Sequence, residues 1–455
     1  MEQSLLIRSL GEDNSVRDES LFTGHAFSAS SPQTTEEVCE IVRHCLANGV
    51  AITPHGGLTG INGAGTAAGN HSMSLQHLNG LTYRKEDDTL WAQAGATFSE
   101  IENIVRKESN MTREFPASPT EKSATVGGAI SFHASGLRSY KYGSVSDFVM
   151  EIEYCDCHGH LHFCNISDDD LHDLFGSEGM FAIITGVRLR TVATPKALWG
   201  LMFFFPDNLY AAEFADAIMD QEHISVFEFC DSKSFEFVHE FRSQISSISR
   251  IPDIPSSDQS AIYLELEGED EEILEAAAEN LLDLTATYHG DPDNVWTVTG
   301  NEVESFRLLR HAISECINLK AAQFHARDVR IKKISCSCSF PDKNSLEIIK
   351  YYQDSLTKNK LTGIIFGHIG SGRPYVNILS HSSEEYDKAM ELIEEWCSKA
   401  YKSRGCAFFE CGVGKLYRDT FYKSAPIDLL NKRIKSKQKW DPDGLFNPEN
   451  MLLQI

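Results

Sequence analysis

Five glycines fall within the twelve residues Pro54-His-Gly-Gly-Leu-Thr-Gly-Ile-Asn-Gly-Ala-Gly65, between an apolar strand-like run and a polar loop. Glycine lets the backbone reach φ > 0 and brings N–H groups close to a ligand, so the stretch reads as a cradle for a diphosphate. Its spacing fits neither G-x-G-x-x-G opening a helix nor G-x4-G-K-[ST]: no lysine follows, and Ser72-Met-Ser-Leu looks like another strand. Nicotinamide-dinucleotide and nucleotide-hydrolysing folds are thereby rejected.

A chain of 455 residues, 42% hydrophobic and 24% charged, can bury sizeable cores and should divide into two or three domains. With 41 basic against 66 acidic residues the net charge is −25, which disfavours nucleic acid and anionic membrane surfaces. Small molecules or basic protein patches are the better partners, and a homodimer stays open. The longest apolar run, Trp199-Gly-Leu-Met-Phe-Phe-Phe205 without its terminal proline, is far too short to span a bilayer, and no basic-then-apolar leader opens the chain. A cytoplasmic location is expected. Without a secretory signal, the twelve cysteines read as reduced core residues rather than a disulfide framework.

Ser31-Pro-Gln-Thr-Thr-Glu-Glu-Val supplies a helix start, and Val38, Ile41, Val42 and Cys45 follow at helical spacing before a strand over 50–54. Short strands around 72–75, 81–84 and 89–94 and a helix from Phe98 indicate an α/β or α+β sheet domain closing near Pro195. Residues 147–163 read as a β-hairpin. Its turn, Cys155-Asp-Cys-His-Gly-His-Leu-His162, crowds thiols and imidazoles that could bind a metal. The plainer reading puts the cysteines in the core and the histidines on an exposed turn. From Leu198 to Arg404 a strand, helix, strand cycle occurs twice, with a Ser/Pro/Ile-rich loop to about Gln259, which suggests a ferredoxin-like duplicated α+β cap. The expected domains are 1–195, 196–410 and a helical C-terminal segment, 411–455, that returns to the first.

Further motifs follow the glycine-rich loop in order: Pro116-Ala-Ser-Pro-Thr-Glu-Lys-Ser-Ala-Thr-Val-Gly-Gly128, Ser135-Gly-Leu-Arg-Ser-Tyr-Lys-Tyr-Gly143 and Phe175-Gly-Ser-Glu-Gly-Met-Phe-Ala-Ile-Ile-Thr185. Near the other end stand Gly367-His-Ile-Gly-Ser-Gly-Arg-Pro-Tyr-Val-Asn377, Glu410-Cys-Gly-Val-Gly414 and Trp440-Asp-Pro-Asp-Gly-Leu-Phe-Asn-Pro448. Together these resemble the vanillyl-alcohol oxidase and p-cresol methylhydroxylase family, in its D-lactate, glycolate and D-2-hydroxyglutarate dehydrogenase branch. The resemblance covers nearly the whole chain. It implies an α+β fold: a two-subdomain FAD-binding domain of the p-cresol methylhydroxylase type, the duplicated cap and the returning segment.

The resemblance also implies FAD contacts at Gly56, Gly57, Leu58, Thr59, Gly60, Asn62, Pro116, Thr120, Ala124, Gly128, Ala134, Tyr142, Gly143, Gly179, Ile184 and Asn447. His55 stands where relatives commonly carry arginine. Leu58 takes the place of the attachment histidine of covalently flavinylated members, so non-covalent FAD is expected. In the branch, G-H-x-G-D-G-N-x-H and E-H-G supply two histidine metal ligands, a carboxylate ligand and a histidine base for hydride transfer from a hydroxy acid to flavin. Here His368 and Glu410 remain, while Tyr375 replaces the second ligand and Cys411 the base. Too few ligands remain for a tightly held metal, and none is expected. Arg310 matches the family's carboxylate-binding arginine, its alternative being an exposed helix arginine. Arg373 and Tyr375 could rebuild the site as carboxylate fork and proton acceptor on one face of an extended segment. Three readings stay open: oxidation of a small 2-hydroxy acid, oxidation of another alcohol, amine or sugar, and a catalytically silent flavin-binding subunit. The electron acceptor is unknown, since no C-x-x-C cluster motif is present.

Overall fold

A computed structural model describes residues 6–9, 14–246, 248–250, 254–408 and 410–452. Part of the Ser/Pro/Ile-rich loop, residues 247 and 251–253, lies outside them. The chain forms two compact units: residues 1–136, 144–194 and 410–455, and residues 137–143 with 195–409. The segment Leu137–Gly143 thus joins the second unit, and Glu410 joins the first. None of the described helices is long and apolar enough to cross a membrane.

The first unit holds two five-stranded sheets. In one, Thr23–Ser30 and Ile52–His55 both pair in parallel with Ala68–Ser74. Helix Thr35–Ala47 starts where the Thr34 side chain accepts the Glu37 N–H, and its Val38, Ile41, Val42 and Cys45 pack on Ile52 and Met73. Cys155 and Cys157 complete this core, whereas His158, His160 and His162 are exposed. The other sheet is antiparallel, ordered Leu161–Asn165, Val149–Cys155, Ile183–Arg190, Thr89–Gln93, Leu81–Arg84.

The returning C-terminal segment binds where the glycine-rich loop begins. Ile52 N–H donates to Leu445 O at 2.8 Å and Asn447 N–H to Ile52 O at 2.7 Å, so Phe446 extends the edge of the parallel sheet. Asp441 shapes this strand-like turn by accepting the Leu445 and Phe446 N–H groups and the Lys437 ammonium. The Trp440–Pro448 motif therefore fixes the strand that feeds the loop.

The second unit is built on one seven-stranded sheet. Its elements are β1 (Ala197–Phe205), α1 (Asn208–Ala217), β2 (Ile224–Cys230), α2 (Ser232–Phe241), β3 (Ser260–Gly268), α3 (Glu271–Thr285), β4 (Trp296–Thr299), α4 (Val303–Arg327), β5 (Ile334–Ser337), α5 (Ser345–Asn359), β6 (Thr362–Gly367), β7 (Tyr375–Leu379) and α6 (Ser383–Lys402). The order β4-β1-β3-β2-β6-β7-β5 is antiparallel throughout. Its first four strands have the 4-1-3-2 order of a ferredoxin-like unit, with α2 inserted. The remaining three repeat the 1-3-2 part, joined through β2 and β6. The edge strand β4, absent from the sequence-based reading, completes the first half. Cys336, Val226, Phe306 and Phe366 are buried between the sheet and its helices.

Candidate active site and cofactor groove

In the first unit the glycine-rich loop forms one wall of a groove lined by Gly56, Gly57, Leu58, Thr59 and Gly60. Ala124, Gly128, Ala134, Gly179 and Ile184 line it as well, and about 1230 Å³ of space, its open mouth included, is not filled by atoms. From Gly57 to Ile61 no backbone N–H donates to another described residue. Unpaired backbone donors bordering a groove are what a diphosphate requires, so the chain fits the group the motifs imply. Leu58 holds φ 57°, a left-handed conformation that costs a side-chain-bearing residue roughly 1–2 kcal/mol. Glu178 and Glu410, which also line the groove, have positive φ as well, as does Asn447 behind it. His55 Nδ1 lies 3.1 Å from Gly56 O, and burial lowers its pKa, so the ring is neutral. A carbonyl only accepts, so the proton sits on Nδ1.

Other expected contact residues are placed differently. Asn62 and Asn447 do not line the groove; they are struts behind it. Asn62 donates to Cys411 O and accepts the Ala64 N–H. Asn447 Nδ2 donates to Ala64 O and Glu178 O, and Lys415 Nζ donates to Asn447 Oδ1. Gly414, with φ 58°, sits so close that a Cβ would lie 2.1 Å from Asn62 O. Pro116 and Thr120 are not in the lining, although Pro119 and Glu121 are. Tyr142 and Gly143 belong to the second unit, where the Tyr142 hydroxyl donates to Glu267 at 2.8 Å. The sequence motif there was sound as a pattern but did not reveal this buried acid.

Glu178, which sequence reasoning overlooked, accepts the N–H groups of Val413 and Gly414 at 2.6 and 2.8 Å and the Asn450 amide at 2.9 Å. It ties the Glu410–Gly414 motif to the groove. Glu410 and Cys411 both line the groove. Alternation of faces does not apply to them: they lie in a turn rather than a strand, and Glu410 has φ 62°.

In the second unit, β2 and β3 carry three buried carboxylates on one face. Glu265 takes a bidentate fork from Arg307 at 2.6 and 2.7 Å, and Glu267 pairs with Arg138 and Lys141 at 2.6 and 2.9 Å. Glu228 receives His368 Nδ1 at 2.5 Å on one oxygen and Arg310 Nε at 2.6 Å on the other. Burial alone would raise the Glu228 pKa, but the charges and hydrogen bonds of His368 and Arg310 outweigh it and hold the carboxyl below its ordinary range. The sequence signal was available: a lone glutamate in the apolar strand Ile-Ser-Val-Phe-Glu-Phe-Cys must have a buried partner.

Arg310 is neither an exposed helix residue nor unpaired. It is 4% exposed, with its guanidinium 4.6 Å over the Phe366 ring. Tyr375 meets His368 edge to face at 5.7 Å between ring centroids. Gly367 permits this convergence. Its φ is 109°, and a Cβ there would lie 2.8 Å from the Tyr375 ring and 3.4 Å from Arg310 Nη2. Arg310, His368 and Tyr375 are thus brought together, with Glu228 between the first two. Arg373 is not on the extended segment: β7 begins at Tyr375, and Arg373 lies in the turn where its N–H donates to His368 O at 3.0 Å. Strand alternation therefore gives no reason for Arg373 and Tyr375 to share a face. Lys333 donates to Asn318 at 2.5 Å, and Cys336 and Cys338 are buried 3.5 Å apart at sulfur.

Residues 29–165 match the FAD binding domain family, and residues 194–451 match the C-terminal domain of FAD linked oxidases. A mitochondrial D-2-hydroxyglutarate dehydrogenase of Arabidopsis thaliana is 27% identical, over 97% of this chain and 80% of its own length. A D-lactate dehydrogenase of Anaerostipes hadrus is 24% identical, over 93% and 88%. Among solved structures, an alkyldihydroxyacetonephosphate synthase superposes with a TM-score of 0.66 at 16% identity, over 93% of this chain and 77% of its own, a likeness of fold. With both domain matches in sequence order and the groove's chemistry suited to a diphosphate, the chain belongs to the FAD linked oxidases.

Proposed function

We propose that the protein oxidises a small 2-hydroxy acid with non-covalently held FAD as its oxidant. The observation that carries this reading is the Glu228 bridge, which holds an arginine and a histidine side by side in a buried position. Arg310 spends Nε on Glu228, so its outer η nitrogens serve the substrate carboxylate. His368, its ring oriented through Nδ1 by the same carboxylate, is in its neutral form the acceptor of the substrate hydroxyl proton. Tyr375 is secondary to His368 and keeps its ring in place. This assignment moves the proton from Tyr375, the expectation from sequence, to an imidazole better matched to neutral pH. FAD, when bound, supplies the two-electron oxidant. The N–H groups from Gly57 to Ile61, without an acceptor among the described residues, would hold its diphosphate, and Leu58 offers no nucleophile for a covalent link.

The relatives named as D-2-hydroxyglutarate and D-lactate dehydrogenases support this substrate class. None of the twelve cysteines, all among the described residues, is in a disulfide, which suits a reducing compartment. A dye-coupled assay tests the reading with 2-hydroxy acids and the matching 2-hydroxy amides. Turnover confined to the acids is expected. Equal turnover of the amides would show that no carboxylate is recognised, and activity only with sugars or amines would favour the second reading.

A further inference from the structure

The turn between strands Val149–Cys155 and Leu161–Asn165 plays no part in the chemistry above, yet its side chains are ordered in an unusual way. Asp156 Oδ1 accepts the backbone N–H groups of His158 and His160, both at 2.9 Å, which locks the carboxylate in one orientation. Its other oxygen, Oδ2, then faces two imidazoles, His162 Nε2 at 2.7 Å and His160 Nδ1 at 3.6 Å. The three ligand atoms all lie within 4.8 Å of one another. The His162 ring is itself held by stacking on Tyr154, at 5.3 Å between centroids and 21° between planes. Arg43 anchors the turn from the neighbouring helix by donating to Gly159 O at 2.6 Å.

We propose that Asp156, His160 and His162 form a binding site for one divalent transition-metal ion of the zinc class. Tetrahedral zinc with nitrogen and oxygen ligands at about 2.0–2.1 Å spaces those ligands about 3.3 Å apart, and the separations of 2.7 and 3.6 Å bracket that value. Two imidazoles and one carboxylate suit zinc, cobalt or nickel better than the oxygen-seeking calcium and magnesium. Cys155 and Cys157 point into the core and take no part. The side chains of His160 and His162 are 68% and 43% exposed, so an ion can enter from solvent and keep water in its open position. The site differs from His368, which lies in the other unit. Bound there, the ion closes the hairpin turn and stabilises the cofactor-binding unit.

Equilibrium dialysis of the full-length, FAD-loaded protein against micromolar zinc, with metal analysis, tests the site. His160→Asn, His162→Asn and, as a control on the same turn, His158→Asn are compared, and circular dichroism checks that each variant is folded. The parent and His158→Asn are expected to hold one zinc more per chain than His160→Asn and His162→Asn. Affinity should fall at least about tenfold when one ligand is lost. Cobalt(II) should give visible d–d bands with the parent that are lost in His162→Asn. Equal zinc in the parent and His162→Asn would overturn the proposal, as would equal loss in His158→Asn.

Discussion

Glu228 is the residue through which the candidate site can be tested most sharply, because one carboxylate serves both Arg310 and His368. Removing one member of a buried ion pair leaves the other charge uncompensated, whereas Glu228→Gln preserves shape and keeps an acceptor. It should slow flavin reduction by about 10–100-fold, the usual effect of losing an orienting partner, and shift the pH profile of the reductive step. Stopped-flow mixing reads this directly, and an unchanged pH profile would mean that Glu228 is merely structural. His368→Asn should cost about 100-fold or more in the same step, as loss of a general base does. Tyr375→Phe should cost less than about tenfold if the imidazole is the proton acceptor. If Tyr375→Phe were the worse variant, the assignment would return to the phenol. From sequence, the positions of Arg310, His368 and Tyr375 were visible through their motifs. Glu228 was overlooked: the lone charge in its apolar strand signals a buried partner, but Arg310 and His368 lie far away in sequence.

At the scale of elements, Asp231 gives a pH prediction independent of cofactor. It caps α2, accepts the N–H groups of Ser234 and Ile365, and burial raises its pKa to about 6. Between its unfolded value of 3.8 and about 6, the native state keeps a proton that the unfolded chain has lost, so stability falls as pH rises through that window. Asparagine keeps the Ser234 cap, gives up the acceptor for the Ile365 N–H at a cost that does not vary with pH, and does not titrate. Urea midpoints of the parent should therefore fall relative to Asp231→Asn from about pH 4 to 6 and run parallel above it. Parallel midpoints throughout would contradict the buried, proton-retaining carboxyl. The duplicated strand and helix cycle was legible because long apolar strands and amphipathic helices carry their own period. Helix α4 runs on to Arg327, since nothing in Gln323-Phe-His-Ala-Arg327 breaks a helix. Strand β4 and the Phe446 pairing escaped notice because each is a short segment whose partner lies far away in sequence. The left-handed turn at Glu410 escaped for a different reason: glutamate gives no local signal for positive φ.

For the whole molecule, the middle and C-terminal segments of the first unit converge on the glycine-rich loop. Phe446 pairs beside its strand, while Glu178, Asn447 and Lys415 tie the Glu410–Gly414 motif behind it. Holding of FAD is therefore a property of the folded unit rather than of a covalent bond. The purified protein should be yellow, and acid precipitation should release all of its flavin into the supernatant. Flavin retained on the pellet would show a covalent link and refute the role given to Leu58. The central claim, oxidation of a 2-hydroxy acid by the bound flavin, is tested most directly by anaerobic single-turnover mixing of the FAD-loaded protein with D-lactate and D-2-hydroxyglutarate. The account predicts that at least one bleaches the yellow flavin band, and that Arg310→Ala needs a much higher concentration to do so. Flavin that dithionite bleaches but no 2-hydroxy acid does would contradict it.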